Sequence, residues 1–231
     1  MVWISKSDVI SFWSCPLCWK ESKEEQIQEF VFPMWVGSMV HDFHNFFWKG
    51  VRLESGEVQL PLTPDYFMKN KLVSKYILNL VMMELNRWEE IKKLNNIDIE
   101  KLFYPTFIEK RIEVSSEELK GIVDRVEWIG EKNYRIVELK TGRCYLDKHI
   151  LEISFYKHIL EKKYKMNITE GRIDYPTLME TKSIIFNDEI MNRTMDIVKI
   201  VKSKIEHNDF FISDENLCEE HYKELKEKGV I

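Results

Sequence analysis

Two segments of alternating character, LKGIVDRVEWI (residues 119–129) and YRIVEL (residues 134–139), carry the residue types that could do chemistry. One row of the first holds Ile122, Asp124, Val126 and Trp128; the corresponding row of the second, run on by one residue, holds Tyr134, Ile136, Glu138 and Lys140. An ionised carboxylate in an otherwise apolar row needs a cation, because burying it unpaired is costly. Two carboxylates converging on Mg²⁺ or Mn²⁺ supply hard oxygen ligands and leave positions for water and a phosphate oxygen. A lysine at their side can orient or deprotonate the attacking water and stabilise charge growing on the phosphate. The bland alternative is a structural Asp/Glu/Lys network inside a sheet. A four-residue loop over 130–133 would pair Asp124 with Leu139, so Asp124 and Glu138 face each other only if the connection holds an odd number of residues or a bulge. Such an irregularity is predicted.

The elements that must position these residues follow from periodicity. The first third reads as helical: a short amphipathic stretch Asp8 to Trp13 with Ser7 as N-cap, a helix from Ser38 to Trp48, and a longer one to about Leu94 with Thr63 as N-cap and Pro64 at its first position. From Phe103 the period changes to two, giving FYPTFIEKRIEV ahead of the two segments above as adjacent antiparallel strands. A helix from about Asp147 to Lys163, short strands near Gly171 to Tyr175 and Ser183 to Phe186, and a helix from Asp188 to Glu206 complete the order. The expected class is α/β, one mixed sheet flanked by helices. No linker divides the chain, so one domain over 1–231 is expected: a mainly helical part (1–100), a core (101–206) and a C-terminal segment (207–231).

The run GIVDRVEWIGEKNYRIVELKTGR resembles the core of the PD-(D/E)XK nucleases, and in detail the CRISPR-associated RecB-like exonucleases. Gly37-Ser38-Met39-Val40-His41 resembles the upstream helical motif that contributes a metal-binding histidine. Glu152-Ile153-Ser154-Phe155-Tyr156 sits where that family has Gln-x3-Tyr. The resemblance implies a restriction-endonuclease-like fold and metal ligation by His41, Asp124, Glu138 and the carbonyl of Leu139. It implies a catalytic Lys140 and a Tyr156 that helps position DNA. A carboxylate at Glu152 in place of the amide would repel a phosphate unless paired with Lys140 or the metal. Considered alone, His41 beside Phe43, Phe46 and Phe47 reads as a core or surface histidine; His44, one turn on, has no support from the resemblance.

Cys15-Pro16-Leu17-Cys18 and Cys218-Glu219-Glu220-His221 form a Cys-x2-Cys and Cys-x2-His pair suited to one tetrahedral metal joining the two chain ends. RecB-like relatives carry an iron–sulfur cluster with one N-terminal cysteine in a Cys-Pro context, which Cys15-Pro16 resembles; the C-terminal cysteine cluster is here reduced to Cys218 with His221. Mixed thiolate and imidazole suit Zn²⁺ at least as well as an iron–sulfur cluster. Cys144 could replace His221 as fourth ligand, but reads more simply as a small buried residue.

With 44% apolar and 32% charged residues among 231, the chain belongs with soluble globular proteins. It has no signal-like or membrane-spanning run, so a cytoplasmic location is expected. A net charge of -5 offers nucleic acid no general attraction, and any DNA site must be local. Lys140, Arg143, Lys148, Lys157, Lys162, Lys163 and Lys165 could form one patch, or an ordinary solvated helix face. The expected activity is a Mg²⁺- or Mn²⁺-dependent deoxyribonuclease, an exonuclease on single-stranded DNA or frayed ends that uses a metal-activated water. The resemblance implies partners in CRISPR spacer acquisition (antiviral defence) or in DNA recombination and repair. The alternative is a non-catalytic, nuclease-like DNA-binding or complex subunit with a structural zinc or iron–sulfur site.

Overall fold

A computed structural model describes residues 2–24, 32–94 and 98–229. Ile4–Ser5 forms a two-residue strand (β1) that passes directly into helix α1, Lys6–Ser14. The cap of α1 is Ser5 and not Ser7. Its hydroxyl accepts from the Asp8 N–H while the Asp8 carboxylate reaches back to the Ser5 N–H, a capping box that Ser7 has no acid to complete. Helices α2 (Pro16–Glu24) and α3 (Phe32–Gly50) and the hairpin β2 (Arg52–Glu54) and β3 (Glu57–Gln59) follow. The single helix expected from Thr63 is two. Asp65–Met68 (α4) has Pro64 as a cap without a side-chain bond, and Lys71–Lys93 (α5) restarts where the Asn70 side chain accepts from Leu72 and Val73. Residues Ile99–Phe103 form a short helix, α6, so β4 begins at Phe107 and runs to Val114 instead of starting at Phe103.

Strands β5 (Leu119–Gly130), β6 (Asn133–Leu139), β7 (Asn167–Tyr175) and β8 (Glu180–Ile185) build a six-stranded mixed sheet with β1 and β4. Helix α7 (Leu146–Tyr164) makes the crossover from β6 to the parallel β7; α8 (Asp188–Glu206) and α9 (Glu219–Glu227) follow β8. One apolar cluster joins α1, α7 and α8 to one face of the sheet through Phe12, Val126, Ile136, Ile153, Ile173 and Val201. A second joins α3, α5 and α6 to the other through Phe47, Leu80, Phe103, Trp128 and Leu139. The sheet is therefore covered on both sides, as a mixed sheet with a crossover helix requires.

The pairing along β5 decides what happens at its centre. Because β4 occupies one edge over residues 119–126, β1 (parallel) and β6 (antiparallel) share the other edge, at 119–120 and 125–130. Running in opposite directions, β1 and β6 point their C-terminal ends at each other over Gly121 to Asp124. The expected irregularity is present: Trp128 pairs with Tyr134 but Gly130 pairs with Asn133, so one residue is bulged out, and Gly130 takes φ +120°. That bulge brings Arg125 opposite Val137 and, one step further, Asp124 opposite Glu138.

Candidate active site

Three carboxylates lie in one row across the middle of the sheet. The β4 to β5 register passes through Ile108 with Arg125 and Lys110 with Val123, which sets Glu109 on one side of Asp124; Glu138 is on the other. Val123 and Val126 are three residues apart yet belong to the same apolar cluster, so the inward side of β5 changes between them, at Asp124 and Arg125. Glu109, across from this change, has φ +44°, a left-handed value costing about 1–3 kcal/mol in a non-glycine residue. The expectation that Ile122, Asp124, Val126 and Trp128 share one buried row is thereby corrected: Ile122 is 51% exposed, and Val126 and Trp128 pack on opposite faces of the sheet.

His41 reaches this row from α3. Its Nδ1 lies 3.5 Å from Asp124 Oδ1 and 3.6 Å from Glu109 Oε1. Burial pushes its pKa down, but the charge of Asp124 and then Glu109 raise it to about 9. Asp124 is buried, which opposes its ionisation; His41, Lys140 and the Leu139 N–H, donating to Oδ2 at 2.8 Å, nonetheless hold its pKa below the usual range. Leu139 is thus fixed beside Asp124 through its backbone. Glu138 is fully enclosed, and burial together with Asp124 pushes its pKa up to about 8. Glu138 Oε1 and Glu109 Oε1 are both buried without a hydrogen-bond partner among the described residues. His41, Glu109 and Asp124 bring ligand atoms within 4.8 Å of one another, a donor set that fits a hard divalent cation, and Glu138 is outside that group but adds a buried, unpartnered oxygen from the next strand.

Lys140 lies 3.2 Å from Glu138 Oε2 and 2.7 Å from Glu152 Oε2. Burial lowers its pKa, but Glu138, Glu152 and Asp124 overcome this and keep it charged. The other oxygen of Glu152 takes Lys6, delivered by the turn from β1 into α1. Glu152 thus sits between two ammonium groups, which answers the repulsion its charge would otherwise present. Tyr156, one turn along α7, is 1% exposed and donates its hydroxyl to the Ile122 carbonyl at 2.5 Å. Gly121 makes that approach possible, since a Cβ there would stand 2.7 Å from the Tyr156 ring. Among the lysines expected to form a patch, Lys157 is held by Glu161 and the Ile168 carbonyl and Lys162 by Glu117.

Glu109 and Lys6 escaped the sequence reading. A signal existed for Glu109: four residues separate Val114 from Leu119, and counting back along that hairpin places Glu109 against Asp124. None existed for Lys6, which is 146 residues from Glu152. Behind the row, on the α5 side of the sheet, a buried ionic network also went unseen. Arg125 reaches Glu84 (2.6 Å), Glu127 (3.1 Å) and Asp174 (3.2 Å), while Arg87 and Arg172 pair with Glu84 and Asp174. His44 belongs to it, accepting from Trp48 Nε1 at 3.1 Å, and burial and then Arg125 lower its pKa to about 3.

The two chain ends meet at a second cluster. His221 Nδ1 lies 3.4, 3.5 and 3.2 Å from the sulfurs of Cys15, Cys18 and Cys218, and the Cys18 and Cys218 sulfurs are 3.5 Å apart. Bonds of about 2.3 Å to sulfur and 2.0 Å to nitrogen around one tetrahedral ion require edges of about 3.5–3.8 Å, close to these. On its far side His221 Nε2 meets Glu21 at 2.9 Å, the carboxylate partner that orients ligand histidines. Burial pushes the Cys15 thiol up, yet the Cys18 N–H and its other neighbours bring it down to about 6. Cys144 stands apart and, contrary to expectation, is exposed, because it lies in the loop leading into α7 and not in the core.

A family model for the PD-(D/E)XK nuclease superfamily matches residues 4–190. Among solved structures, that of a candidate exonuclease from Eubacterium rectale is similar: 11% identity, 90% of this chain and 82% of that chain covered, TM-score 0.47. No curated protein matches the chain. Among the described residues no helix is long and apolar enough to cross a membrane.

Proposed function

The chain belongs to the PD-(D/E)XK nuclease superfamily, and from that premise we propose that it is a divalent-metal-dependent deoxyribonuclease acting as an exonuclease on single-stranded DNA or frayed ends. The observation that carries this reading is the pair of buried oxygens without a hydrogen-bond partner on Glu109 and Glu138, on either side of Asp124, with Lys140 paired to the other oxygen of Glu138. His41, Asp124, Glu138 and the Leu139 carbonyl, with Glu109 added, hold the cation. When bound, Mg²⁺ or Mn²⁺ supplies charge against the phosphate and water activation at neutral pH. Lys140, held beside Glu138 and Glu152, would orient or deprotonate the attacking water and stabilise the charge growing on the phosphate. Tyr156 is a positioning residue: it fixes the backbone of β5 two residues before Asp124. The RecB-like resemblance of the sequence supports a place in DNA-end processing during spacer acquisition or recombination.

The deciding experiment is digestion of end-labelled linear single-stranded DNA by the purified protein in Mg²⁺ or Mn²⁺, beside Glu138→Ala and Lys140→Ala. Digestion by the wild type and loss in both variants supports the assignment. An inert wild type, or equal digestion by the variants, overturns it and leaves a DNA-binding subunit.

At the chain ends, Cys15, Cys18, Cys218 and His221 hold a single Zn²⁺ in this reading. Their mutual distances support it, since a cubane cluster sets each ligand on a different iron and spreads them further apart. Metal analysis of the purified protein should return about one zinc per chain; iron with acid-labile sulfide would replace this reading by the cluster.

A further inference from the structure

Beside the carboxylate row lies a cleft of about 370 Å³ that the chemistry above does not use, lined by Lys6, Ser7, Arg111, Lys120, Ile122 and Tyr156 among others. It opens where β1 and β6 point at each other and leave the edge of β5 at Gly121 and Ile122 uncovered. Arg111 pairs in register with Ile122, and Lys120 precedes it by two residues, so both cations flank the exposed Ile122. Among the described residues no carboxylate lines the cleft, and Glu113, in register with Lys120, stands at its edge. Among the described residues Lys120 has no ion pair or side-chain hydrogen bond, and Arg111 is held only by Glu113, in a surface pair whose side chains are 70% and 44% exposed. Such a pair contributes little and is readily exchanged for a better anion. Lys6 adds a third positive group, shared with Glu152. The floor of the cleft is fixed, because Tyr156 ties down the Ile122 carbonyl. Ile122 and Asp124 are two residues apart along a strand, roughly 6.6 Å, so an anion seated here lies beside the reacting phosphate.

We propose that this cleft seats a second phosphate of the DNA strand under attack, gripped by Lys120 and Arg111 with Lys6 and Ser7 at its wall. The proposal rests on the nuclease reading for its substrate, but its recognition chemistry is separate. In a chain of net charge -5, it supplies the local attraction that the overall charge does not. The seated group is either a terminal phosphate or an internal linkage of the strand.

The test is binding of fluorescently labelled single-stranded DNA without divalent metal, over a range of salt. It compares wild type, Lys120→Ala, the Arg111→Ala/Lys120→Ala pair, and Lys199→Ala as a control on exposed α8. A single-strand slope of about 0.7 per phosphate contact makes each lost cation weaken binding about fivefold at 0.1 M salt and flatten the salt dependence by about 0.7. The control should match the wild type, and thermal unfolding verifies that every variant is folded. Oligonucleotides with 5′-phosphate, 3′-phosphate or hydroxyl ends separate the sources: a preference for one phosphorylated end that the variants lose marks a terminal phosphate, and weakening without end preference marks an internal linkage. Unchanged affinity and slope in the double variant, or an equal change in Lys199→Ala, overturns the proposal. Because no cleavage is needed, a protein that binds in this way but does not digest DNA removes the nuclease reading alone.

Discussion

Glu109 stands directly across the β4 to β5 pair from Asp124, and His41 Nδ1 lies 3.6 Å from the first carboxylate and 3.5 Å from the second. The left-handed backbone at Glu109 and its orphaned oxygen belong together: the strand accepts strain that brings a carboxylate to a place where only a cation satisfies it. Glu109→Gly should therefore raise or preserve thermal stability while lowering Mn²⁺ affinity and cleavage about 10- to 100-fold. Glu109→Gln should lower activity without the gain in stability. Calorimetric metal titration and end-label digestion check both, and undiminished metal affinity in both variants would remove Glu109 from the site.

The bulge between Trp128 and Gly130 sets the register that brings Asp124 to Glu138. Deleting Ile129 should give a plain hairpin in which Trp128 still pairs with Tyr134 and Asp124 still faces Glu138, so divalent-metal binding should persist; loss of binding in a deletion variant that still folds would show that the bulged residue does more than set the register. The milder Gly130→Ala forces a side chain onto φ +120° and should lower unfolding free energy by about 1 kcal/mol or more, read from urea midpoints.

Glu84 anchors Arg125 to α5, with both side chains 1% exposed. Glu84→Ala leaves a guanidinium buried with less than its due of negative charge and should cost about 3–5 kcal/mol in urea unfolding. A loss below that of an ordinary surface substitution would mean that Glu127 and Asp174 suffice for Arg125.

Two buried histidines set an acid limit. Burial first, then Arg125, lowers His44 to about 3; burial first, then Lys140, lowers His149 to about 4, and His149 Nδ1 lies within hydrogen-bond distance of the Tyr175 hydroxyl, at 2.6 Å. The unfolded chain titrates these groups near about 6.5, so between there and about 4 it binds more protons than the folded one. Their stabilisation is complete above about pH 6.5 and is lost as the pH falls toward about 4. Thermal midpoints should drop over that interval and drop less in His149→Gln. A flat profile from pH 7 to 5 would show that neither histidine is held neutral.

Alternation along 119–129 and 134–139 was enough to single out Asp124, Glu138 and Lys140, and the clash between that alternation and the length of the turn required the bulge found at Trp128 to Gly130. Both are local properties of a two-residue period. The helix Asp188–Glu206 was legible from its own local period, the 3.6-residue repeat of a helix. The spacing of Cys15, Cys18, Cys218 and His221 told of one site across 200 residues because metal chemistry permits so few ligand sets. What only the tertiary structure decided is long-range. The parallel pairing of Ile4 and Ser5 with β5 carries Lys6 to Glu152, and the crossing of α5 brings Glu84 and Arg87 to Arg125. The change of inward side at Asp124 likewise needs Glu109 in a conformation that no residue preference announces. Each depends on which strand edge and which helix meet in space, and pattern along the chain fixes which face of an element turns inward but not its neighbour.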